Sequence, residues 1–463
     1  MSQPTPNTLA ELRASGHEQQ TVKEEIRGNV IARLTEGIPT VPGIIGFDAT
    51  VVPEVERALI AGHDFVLLGE RGQGKTRLAR TLVGLLDEWV PVVAGCEIND
   101  HPYLPVCTRC RQLASDSGEE LPVSWLHRTS RYGEKLATPD TSVGDLVGDV
   151  DPIKVAQGRT LGDPETIHYG LVPRTNRGIF VVNELPDLAE RIQVALLNVL
   201  EERDIQVRGY QLRLPLDLLL VASANPEDYT NRGRIITPLK DRFGAEISTH
   251  YPLDLDDELG VLMQECTLQA AVPVFLLETI ARFTRGVRES PSVDERSGVS
   301  ARFAIAAAES VSASAARRAV IVGETPAVAR ICDLPGVVPT LRGKVEFDVS
   351  EEGRELEVLQ HLLRRATAET FRARLAGLDL EPFVSRFDDG GPIDTGELAP
   401  AADLLTQLGP IEGMAKVMER LDLVGAETPT FAASAAEFAL EGLYLTRRLS
   451  KETISGTSRY RAA

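Results

Sequence analysis

The chain has 463 residues, of which 43% are hydrophobic and 25% are charged, a composition that excludes disorder throughout the chain. A chain of this length predicts about two to four domains. The formal net charge of -19 opposes general binding to phosphate backbones and anionic lipid, so we expect no membrane partner and no nucleic-acid partner.

Residues 1–43 predict a polar N-terminal arm with one helix, which ends at the turn signal Pro42-Gly43. The first residues lack the basic and then apolar pattern of a signal peptide, and no stretch has the apolar length that spans a bilayer. We therefore expect a cytoplasmic protein. Its five cysteines would then be thiols or metal ligands rather than a disulfide framework.

Short apolar runs alternate with helical patterns over residues 44–252. The runs at 63–69, 179–182 and 218–222 have the length of buried parallel strands, and residues 188–200 carry apolar residues at helical spacing. Parallel neighbouring strands need helical crossovers, so this order predicts a doubly wound α/β domain. Ligands in such domains bind at the carboxyl ends of the strands.

The remaining sequence is mostly helical. Residues 253–345 predict a small helical domain that contains an Ala-rich helix over 301–322, and residues 346–463 predict a helical C-terminal extension. In residues 356–371, apolar positions recur every three or four residues. This amphipathic pattern favours a face packed in the core of the region, and a surface that docks a partner would produce the same pattern.

The segment Gly69–Thr76 reads GERGQGKT and fits the phosphate-binding pattern G-x-x-x-x-G-K-[ST], with a strand predicted before it and a helix after it. Its glycines let main-chain N–H groups turn toward phosphates, and the helix N-terminus adds partial positive charge. Lys75 would reach the β- and γ-phosphate oxygens, and the Thr76 hydroxyl would ligate Mg²⁺. The residues predicted to bind ATP are Gly69, Glu70, Arg71, Gly72, Gln73, Gly74, Lys75 and Thr76. A glycine-rich turn without a ligand is the alternative.

The apolar strand at 179–182 ends in the polar pair Asn183 and Glu184. This is a Walker B arrangement in which asparagine replaces the usual aspartate. Asn183 can still hold a metal-bound water through its carbonyl oxygen, but it adds no charge, so we expect weaker Mg²⁺ binding. Glu184 is the candidate base that orients the attacking water, and a solvated glutamate at a strand end is the alternative.

Three further residues are candidates for the hydrolytic machinery. Asn225 follows the next apolar strand, where its amide would position the attacking water. Arg242 lies in Leu239–Phe243 and would reach the γ-phosphate of a neighbouring subunit, which requires an oligomer. Arg302 opens the Ala-rich helix and is the candidate arginine by which the second domain senses the γ-phosphate. Each feature alone also fits an ordinary turn or a surface ion pair.

This order of motifs resembles the AAA+ subunit of magnesium chelatase and the related MoxR-like ATPases, from about Ile44 to about Arg302. The most specific stretches are Gly144–Asp151, Gly170–Phe180, Ala224–Glu227 and Leu239–Gly244. The resemblance implies a P-loop NTPase with an AAA+ core, followed by a helical lid domain. It also implies a helix-2 insertion in the residues that lead into Gly170 and a β-hairpin over Glu202–Pro215.

By the same resemblance Asn225 is the first sensor, Arg242 the finger that acts in trans and Arg302 the second sensor. Members of the family form hexameric rings and often act with a partner that carries a von Willebrand A domain. The resemblance therefore implies an ATP-hydrolysing ring that remodels a client or inserts a metal into it.

Three other functions are alternatives. The chain would be a true magnesium or cobalt chelatase subunit acting on a tetrapyrrole, or a nucleotide-gated scaffold that hydrolyses little ATP because of Asn183. A sigma-54 activator or helicase is disfavoured, because the sequence lacks the Gly-Ala-Phe-Thr-Gly-Ala loop and a basic helix-turn-helix pattern.

Three cysteines lie in a predicted insertion over residues 96–140. Cys96, Cys107 and Cys110 include one C-x-x-C pair, and His101 and His127 are the candidate fourth ligands. Three thiolates and one imidazole would suit a structural Zn²⁺. Ordinary thiols are the alternative, since the sequence has no second C-x-x-C pair.

Overall fold

The computed structural model describes residues 3–150, 166–201, 205–207, 210–212, 214–226, 234–294, 298–425, 428–454 and 456–463. The chain forms two compact units, Met1–His250 and Tyr251–Ala463. The four segments predicted from the sequence are a finer division and stay a prediction. Asp151 and Glu227 of the family-like stretches lie outside the described residues, as do most residues that lead into Gly170 and part of the predicted hairpin.

The first unit contains both helices and strands. Its described helices are α1 (Leu9–Ala14), α2 (Val22–Glu36), α3 (Val51–Ala61), α4 (Lys75–Thr81), α5 (Thr108–Ser117), α6 (Val143–Leu146), α7 (Leu171–Arg174), α8 (Glu190–Glu201) and α9 (Thr237–Arg242). Its described strands are β1 (Phe65–Leu68), β2 (Trp89–Val93), β3 (Val123–His127), β4 (Tyr132–Leu136), β5 (Gly148–Val150), β6 (Ile167–Tyr169), β7 (Gly178–Asn183), β8 (Ile205–Val207), β9 (Tyr210–Leu212), β10 (Leu218–Ala224) and β11 (Ala245–Ser248).

Five parallel strands form the central sheet in the order β11-β1-β10-β7-β4. The three inner strands are the three apolar runs of the sequence, so the doubly wound α/β fold is confirmed. The edge strands β4 and β11 carry charged residues and are only partly buried. They therefore lack the continuous apolar run by which the inner strands are predicted from the sequence. Strand β4 lies inside residues 96–140, so this predicted insertion contains a strand of the central sheet.

The predicted polar arm packs against the sheet through α2. This helix begins with a capping box between Thr21 and Glu24, and it buries Val22, Ile26 and Val30 in a core shared with β1 and β7. The capping box satisfies main-chain groups at the helix start. Burial of one apolar face on the sheet therefore makes α2 part of the first unit's core.

An antiparallel hairpin of β2 and β3 forms a separate two-stranded sheet. Strand β2 ends just before the predicted insertion over residues 96–140. The chain between the two strands contains the three cysteines and α5, and its helix begins directly after Cys107. A short bridge between Thr8 and Pro122 joins the N-terminal segment to the start of β3.

The second unit is mainly helical. Its described elements are α10 (Leu255–Glu265), α11 (Val274–Arg288), α12 (Ala301–Val322), α13 (Asp333–Leu341), α14 (Glu355–Leu375), α15 (Glu381–Gly390), β12 (Ile393–Gly396), α16 (Ala401–Leu408), α17 (Met414–Arg420), α18 (Pro429–Leu445), β13 (Leu449–Ile454) and β14 (Thr457–Ala462). The three strands form an antiparallel sheet in the order β12-β14-β13.

The amphipathic stretch at 356–371 lies in α14, and its apolar face is buried in the core of the second unit, where Leu359, Leu363 and Phe371 pack. The structure therefore supports the intramolecular interpretation of this stretch. In the part of the chain that the structure describes, every helix is too short or too polar to cross a membrane.

Candidate nucleotide site

The segment Gly69–Gly74 forms a loop between β1 and α4, at the carboxyl end of an inner strand. Gly72 and Gly74 have φ angles of 79° and 77°, in the left-handed region that residues with a Cβ rarely adopt. Helix α4 begins at Lys75, directly after the second of these glycines. The two glycines therefore allow the sharp turn that brings the N-terminus of α4 to this edge of the sheet.

Thr249, which follows β11, holds the loop in place. The Gln73 side-chain oxygen accepts hydrogen bonds from the Glu70 N–H at 3.0 Å and from the Thr249 hydroxyl at 2.8 Å. A Cβ on Gly69 would lie 1.9 Å from the Thr249 hydroxyl oxygen, so this position requires glycine. No sequence motif marks Thr249, because its contact depends on the pairing of β11 with β1.

The Lys75 ammonium is enclosed by oxygen atoms, and the residue is only 6% exposed. It donates hydrogen bonds to the main-chain oxygens of Gly69 and Glu70 and, at 2.8 Å, to Asn225 Oδ1. The Asn225 amide donates in turn to Glu184 Oε2 at 3.0 Å. Lys75, Asn225 and Glu184 therefore belong to one hydrogen-bonded chain.

Glu184 has an unusual main-chain conformation at the end of β7. Its φ angle is 55°, and its N–H donates to the Ser223 hydroxyl at 3.2 Å. A non-glycine residue in this region carries a conformational cost, and such residues cluster at functional sites. This conformation occurs at the residue whose half-buried carboxylate accepts the hydrogen bond from the Asn225 amide.

Asn183, the last residue of β7, makes hydrogen bonds both to α4 and to the neighbouring strand β4. Its Oδ1 accepts hydrogen bonds from the Thr76 hydroxyl at 3.4 Å and the Ser223 hydroxyl at 3.3 Å, and its Nδ2 donates to Glu134 Oε1 at 2.7 Å. Glu134 is on β4, which pairs with β7. A carboxylate therefore lies within hydrogen-bond distance of the amide that replaces the usual aspartate.

Two further residues stabilise the negative charge of Glu134 by hydrogen bonds. Arg80 donates two hydrogen bonds to its carboxylate, at 2.8 Å and 3.0 Å, and the Tyr132 hydroxyl donates a third at 2.9 Å. Burial acts to raise the pKa of Glu134, but the hydrogen bonds from Arg80 and Tyr132 outweigh it and lower the pKa below its ordinary value. Glu134 is therefore ionised at neutral pH.

Three other predicted residues, all arginines, have exposed side chains. Arg71 is exposed in the loop, and Arg242 is exposed at the last position of α9. Arg302 belongs to the second unit, where it is exposed in the first turn of α12 and its N–H donates to the Ser300 hydroxyl at 3.1 Å. The predicted residues that the first unit brings together are Lys75, Thr76, Asn183, Glu184 and Asn225.

The two histidines predicted as metal ligands are directed elsewhere, so that part of the cysteine prediction is wrong. The His101 Nδ1 accepts from the Tyr103 N–H at 3.0 Å, and its ring stacks on His17. The His127 Nδ1 lies 2.8 Å from the Thr129 hydroxyl, and its ring packs against Trp89. The group that does lie with the three cysteines is Asp100.

A glycine-rich loop between an inner parallel strand and a helix, together with the polar ends of β7 and β10, defines the class of the first unit: an α/β P-loop NTPase with an AAA+ core. A family model described as the Sigma-54 interaction domain matches residues 160–242. The resemblance to magnesium chelatase is confirmed, because the chain is similar to the magnesium-chelatase 38 kDa subunit and to magnesium-chelatase subunit ChlI.

Two relatives illustrate this similarity. The chain is 28% identical over 242 residues to the magnesium-chelatase 38 kDa subunit of Cereibacter sphaeroides, which covers 50% of this chain and 65% of the relative. It is 31% identical over 205 residues to the magnesium-chelatase 38 kDa subunit of Acidiphilium rubrum, which covers 42% of this chain and 53% of the relative. The matches thus span between half and two thirds of these relatives.

The solved structures that the chain matches include the complex between the magnesium-chelatase subunits BchI and BchD, with a TM-score of 0.36 at 21% identity over 68% of this chain and 98% of that chain. They also include NtrX from Brucella abortus, with a TM-score of 0.40 at 13% identity over 74% of this chain and 66% of that chain.

Proposed function

We propose that the chain binds ATP with Mg²⁺ at residues Gly69–Thr76 and hydrolyses it as a subunit of an AAA+ ring. The observation that carries this proposal is the hydrogen-bonded chain from Lys75 through Asn225 to Glu184. It joins the loop that would hold the phosphates to the carboxylate that would orient the attacking water, at the edge of the sheet where ligands of such folds bind.

The residues at this edge fit a magnesium nucleotide. Two left-handed glycines and the start of α4 supply main-chain N–H groups, Lys75 supplies a cation, and the Thr76 hydroxyl supplies a hard oxygen ligand. When bound, MgATP would supply the γ-phosphoryl group for transfer to water. Lys75 would exchange a neutral carbonyl or amide oxygen for a phosphate oxygen, and charge-assisted hydrogen bonds of this kind are the stronger ones.

Glu184 and Asn225 would act together on the attacking water. The Glu184 carboxylate would accept a hydrogen bond from the water, and Asn225 Nδ2 would keep that carboxylate in position. Asn225 also accepts a hydrogen bond from Lys75. If Lys75 turned to a phosphate oxygen instead, the hydrogen bond between Asn225 and Glu184 would change as well. The site therefore offers a direct link between phosphate binding and the hydrolytic group.

Glu134 would be a positioning residue for the metal site. By accepting from Asn183 Nδ2 it fixes the asparagine amide with its oxygen toward Thr76, where an oxygen ligand is needed for a metal-bound water. Its negative charge lies one hydrogen bond away from the amide. This arrangement supports hydrolysis despite Asn183 and weakens the case for a scaffold that only binds nucleotide.

The similarity to magnesium-chelatase subunits extends this proposal to the assembly that the chain forms and to the client on which it acts. Arg242 is exposed at the end of α9, as a finger that completes a neighbouring subunit's site must be. We infer a cytoplasmic hexameric ring in which Arg302 is the second sensor, working with a partner that carries a von Willebrand A domain. The ring would remodel a client or insert a metal into it, as a MoxR-like ATPase or as a tetrapyrrole chelatase subunit.

Steady-state phosphate release by the full chain tests the proposal. Glu184→Gln should retain binding of a fluorescent ATP analogue and lose about 10²- to 10⁴-fold in hydrolysis, because the general base is removed. Lys75→Ala should lose binding of the analogue as well. Glu190→Gln, which alters an exposed glutamate at the start of α8, is the matched control and should behave as wild type.

The rival interpretations give different results. Equal and very slow hydrolysis by wild type and Glu184→Gln, with binding retained, would favour the nucleotide-gated scaffold. Absence of nucleotide binding by wild type in the presence of Mg²⁺ would overturn the proposal.

A further inference from the structure

We propose that Cys96, Asp100, Cys107 and Cys110 form a closed structural site for Zn²⁺ in the segment that runs from the end of β2 into the first turn of α5. The site is separate from the P-loop and serves no step of the hydrolysis proposed above. Asp100 takes the place of the histidine expected as the fourth ligand.

The four side chains converge on one point. One ligand atom from each lies within 4.8 Å of all the others. Tetrahedral zinc with bonds of about 2.3 Å needs ligand atoms roughly 3.8 Å apart, so a contraction of about 1 Å closes the shell. Asp100, Cys107 and Cys110 are buried and Cys96 is half-buried, which leaves no wide opening for a substrate.

The Asp100 carboxylate carries an independent sign of a missing cation. Its Oδ2 accepts from the N–H groups of Val106 at 3.0 Å and Cys107 at 2.8 Å. Its Oδ1 is buried and has no hydrogen-bond partner among the described residues, although Asp100 is only 1% exposed. A buried carboxylate oxygen without a partner is costly, and a zinc ion beside the three sulfur atoms would supply one.

Main-chain N–H groups already orient two of the sulfur atoms. Cys96 Sγ accepts from the Asp100 N–H at 3.3 Å, and Cys107 Sγ accepts from the Cys110 N–H at 3.3 Å. Cys107 is also the N-cap of α5, a ten-residue helix whose N-terminus favours a thiolate. These contacts are the outer-shell support that keeps the ligands of a metal site in position.

The ligand types select the class of metal. Zn²⁺ binding would deprotonate the thiols, and the ion would neutralise two of the four negative charges of three thiolates and one carboxylate. Soft thiolate ligands in a four-coordinate arrangement suit Zn²⁺, whereas Mg²⁺ and Ca²⁺ prefer shells of oxygen. The Arg109 guanidinium, 3.9 Å from Cys110 Sγ, would offset part of the remaining negative charge.

The site would stabilise the segment that leads into β7. The Asn176 amide donates to the Ile98 main-chain oxygen at 2.9 Å, and the Asn99 amide donates to the Arg174 main-chain oxygen at 2.8 Å. Ile98 and Asn99 lie between Cys96 and Asp100. A metal ion that fixes both flanking ligands would therefore hold the two residues against the segment just before β7, the strand that leads to Glu184.

Metal analysis of the full chain, purified under reducing conditions without chelator, tests the site. Mass spectrometry of the elements should find about one zinc ion per chain. Asp100→Asn and Cys107→Ser should each lower the zinc content at least about tenfold after dialysis against a weak chelator. Cys266→Ser in the second unit and His101→Ala should retain the metal.

Cobalt substitution of wild type gives a readout that does not depend on whether the variants fold. Co²⁺ bound by three thiolates should show the visible bands of a tetrahedral site and a sulfur-to-metal charge-transfer band. Two results would overturn the proposal: wild-type protein with reduced thiols that holds neither zinc nor Co²⁺, or a disulfide between two of the three cysteines in metal-free protein. Loss of zinc in His101→Ala with retention in Asp100→Asn would reject the ligand set.

Discussion

Loss of the buried ion pair between Glu25 of α2 and Arg131 should destabilise the first unit strongly. The two side chains are 4% and 0% exposed, and both guanidinium Nη atoms lie 2.6 Å from carboxylate oxygens. Glu25→Gln removes the charge and leaves the guanidinium buried. Breaking a buried pair in this way costs about 3–5 kcal/mol, and we expect the lower end because glutamine can still accept one hydrogen bond.

Thermal unfolding followed by tryptophan fluorescence measures this effect in the relevant part of the chain. The sequence has two tryptophans, Trp89 on β2 and Trp125 on β3, so the signal reports on the first unit alone. For a unit of this size, about 3 kcal/mol corresponds to a fall in Tm of roughly 6–12 °C. Glu36→Gln, at the exposed end of α2, is the control and should change the stability by less than about 0.5 kcal/mol.

A double variant separates the unpaired charge from the loss of packing. Replacing both partners with apolar residues, as in Glu25→Leu with Arg131→Met, should recover part of the stability, because the unpaired charge is removed while the Asp87 N–H and the Arg177 main-chain oxygen lose a partner. The reasoning is refuted if Glu25→Gln melts within 1–2 °C of the Glu36→Gln control, which corresponds to less than about 1 kcal/mol. A double variant less stable than Glu25→Gln would show that packing and the main-chain hydrogen bonds, rather than the unpaired charge, set the loss.

Two further predictions concern the metal side of the nucleotide site. Asn183→Asp should be made together with Glu134→Gln, because the two carboxylates would otherwise repel each other across the 2.7 Å contact. Relative to Glu134→Gln, the double variant should lower the Mg²⁺ concentration for half-maximal hydrolysis by roughly fivefold, because a charged acceptor strengthens the hydrogen bond to a metal-bound water by about 1 kcal/mol; an unchanged Mg²⁺ dependence would contradict this. The folded-state pKa of Glu134 is lowered, so its stabilising contribution is present at neutral pH and is lost as the pH falls below the ordinary carboxyl range. Glu134→Gln should therefore reduce the loss of stability on acidification, measured as Tm between pH 7 and about pH 3, and equal slopes for variant and wild type would contradict the assignment.

The inner part of the sheet was predictable because β1, β7 and β10 are uninterrupted apolar runs. Strand β4 was not, since its sequence Tyr-Gly-Glu-Lys-Leu belongs to a partly buried edge and lacks an apolar run. The same strand carries Glu134, whose contact with Asn183 arises from strand pairing across about fifty positions of sequence. Motif spacing indicates local geometry, and it carries no information about such pairings.

The cysteine cluster shows a second limit of sequence reasoning. Histidine is the commoner zinc ligand, so proximity along the chain favours His101 over its neighbour Asp100. In the folded loop, however, the Asp100 N–H bonds Cys96 while the His101 ring faces Tyr103 and His17. Adjacent side chains in extended segments point in opposite directions, and only the backbone conformation decides which one meets the sulfur atoms.

The hydrogen bond between Gln73 and Thr249 links the nucleotide loop to the connection between the two units. Thr249 lies one residue before the end of the first unit, and its N–H also donates to Leu68 at 2.6 Å. The Thr249 hydroxyl also lies 3.1 Å from the Leu68 main-chain oxygen, so a ligand that recruited the Gln73 side chain would leave this hydroxyl with one acceptor instead of two. Thr249 would therefore be the residue at which a change in the loop alters the hydrogen bonding just before the chain leaves the first unit.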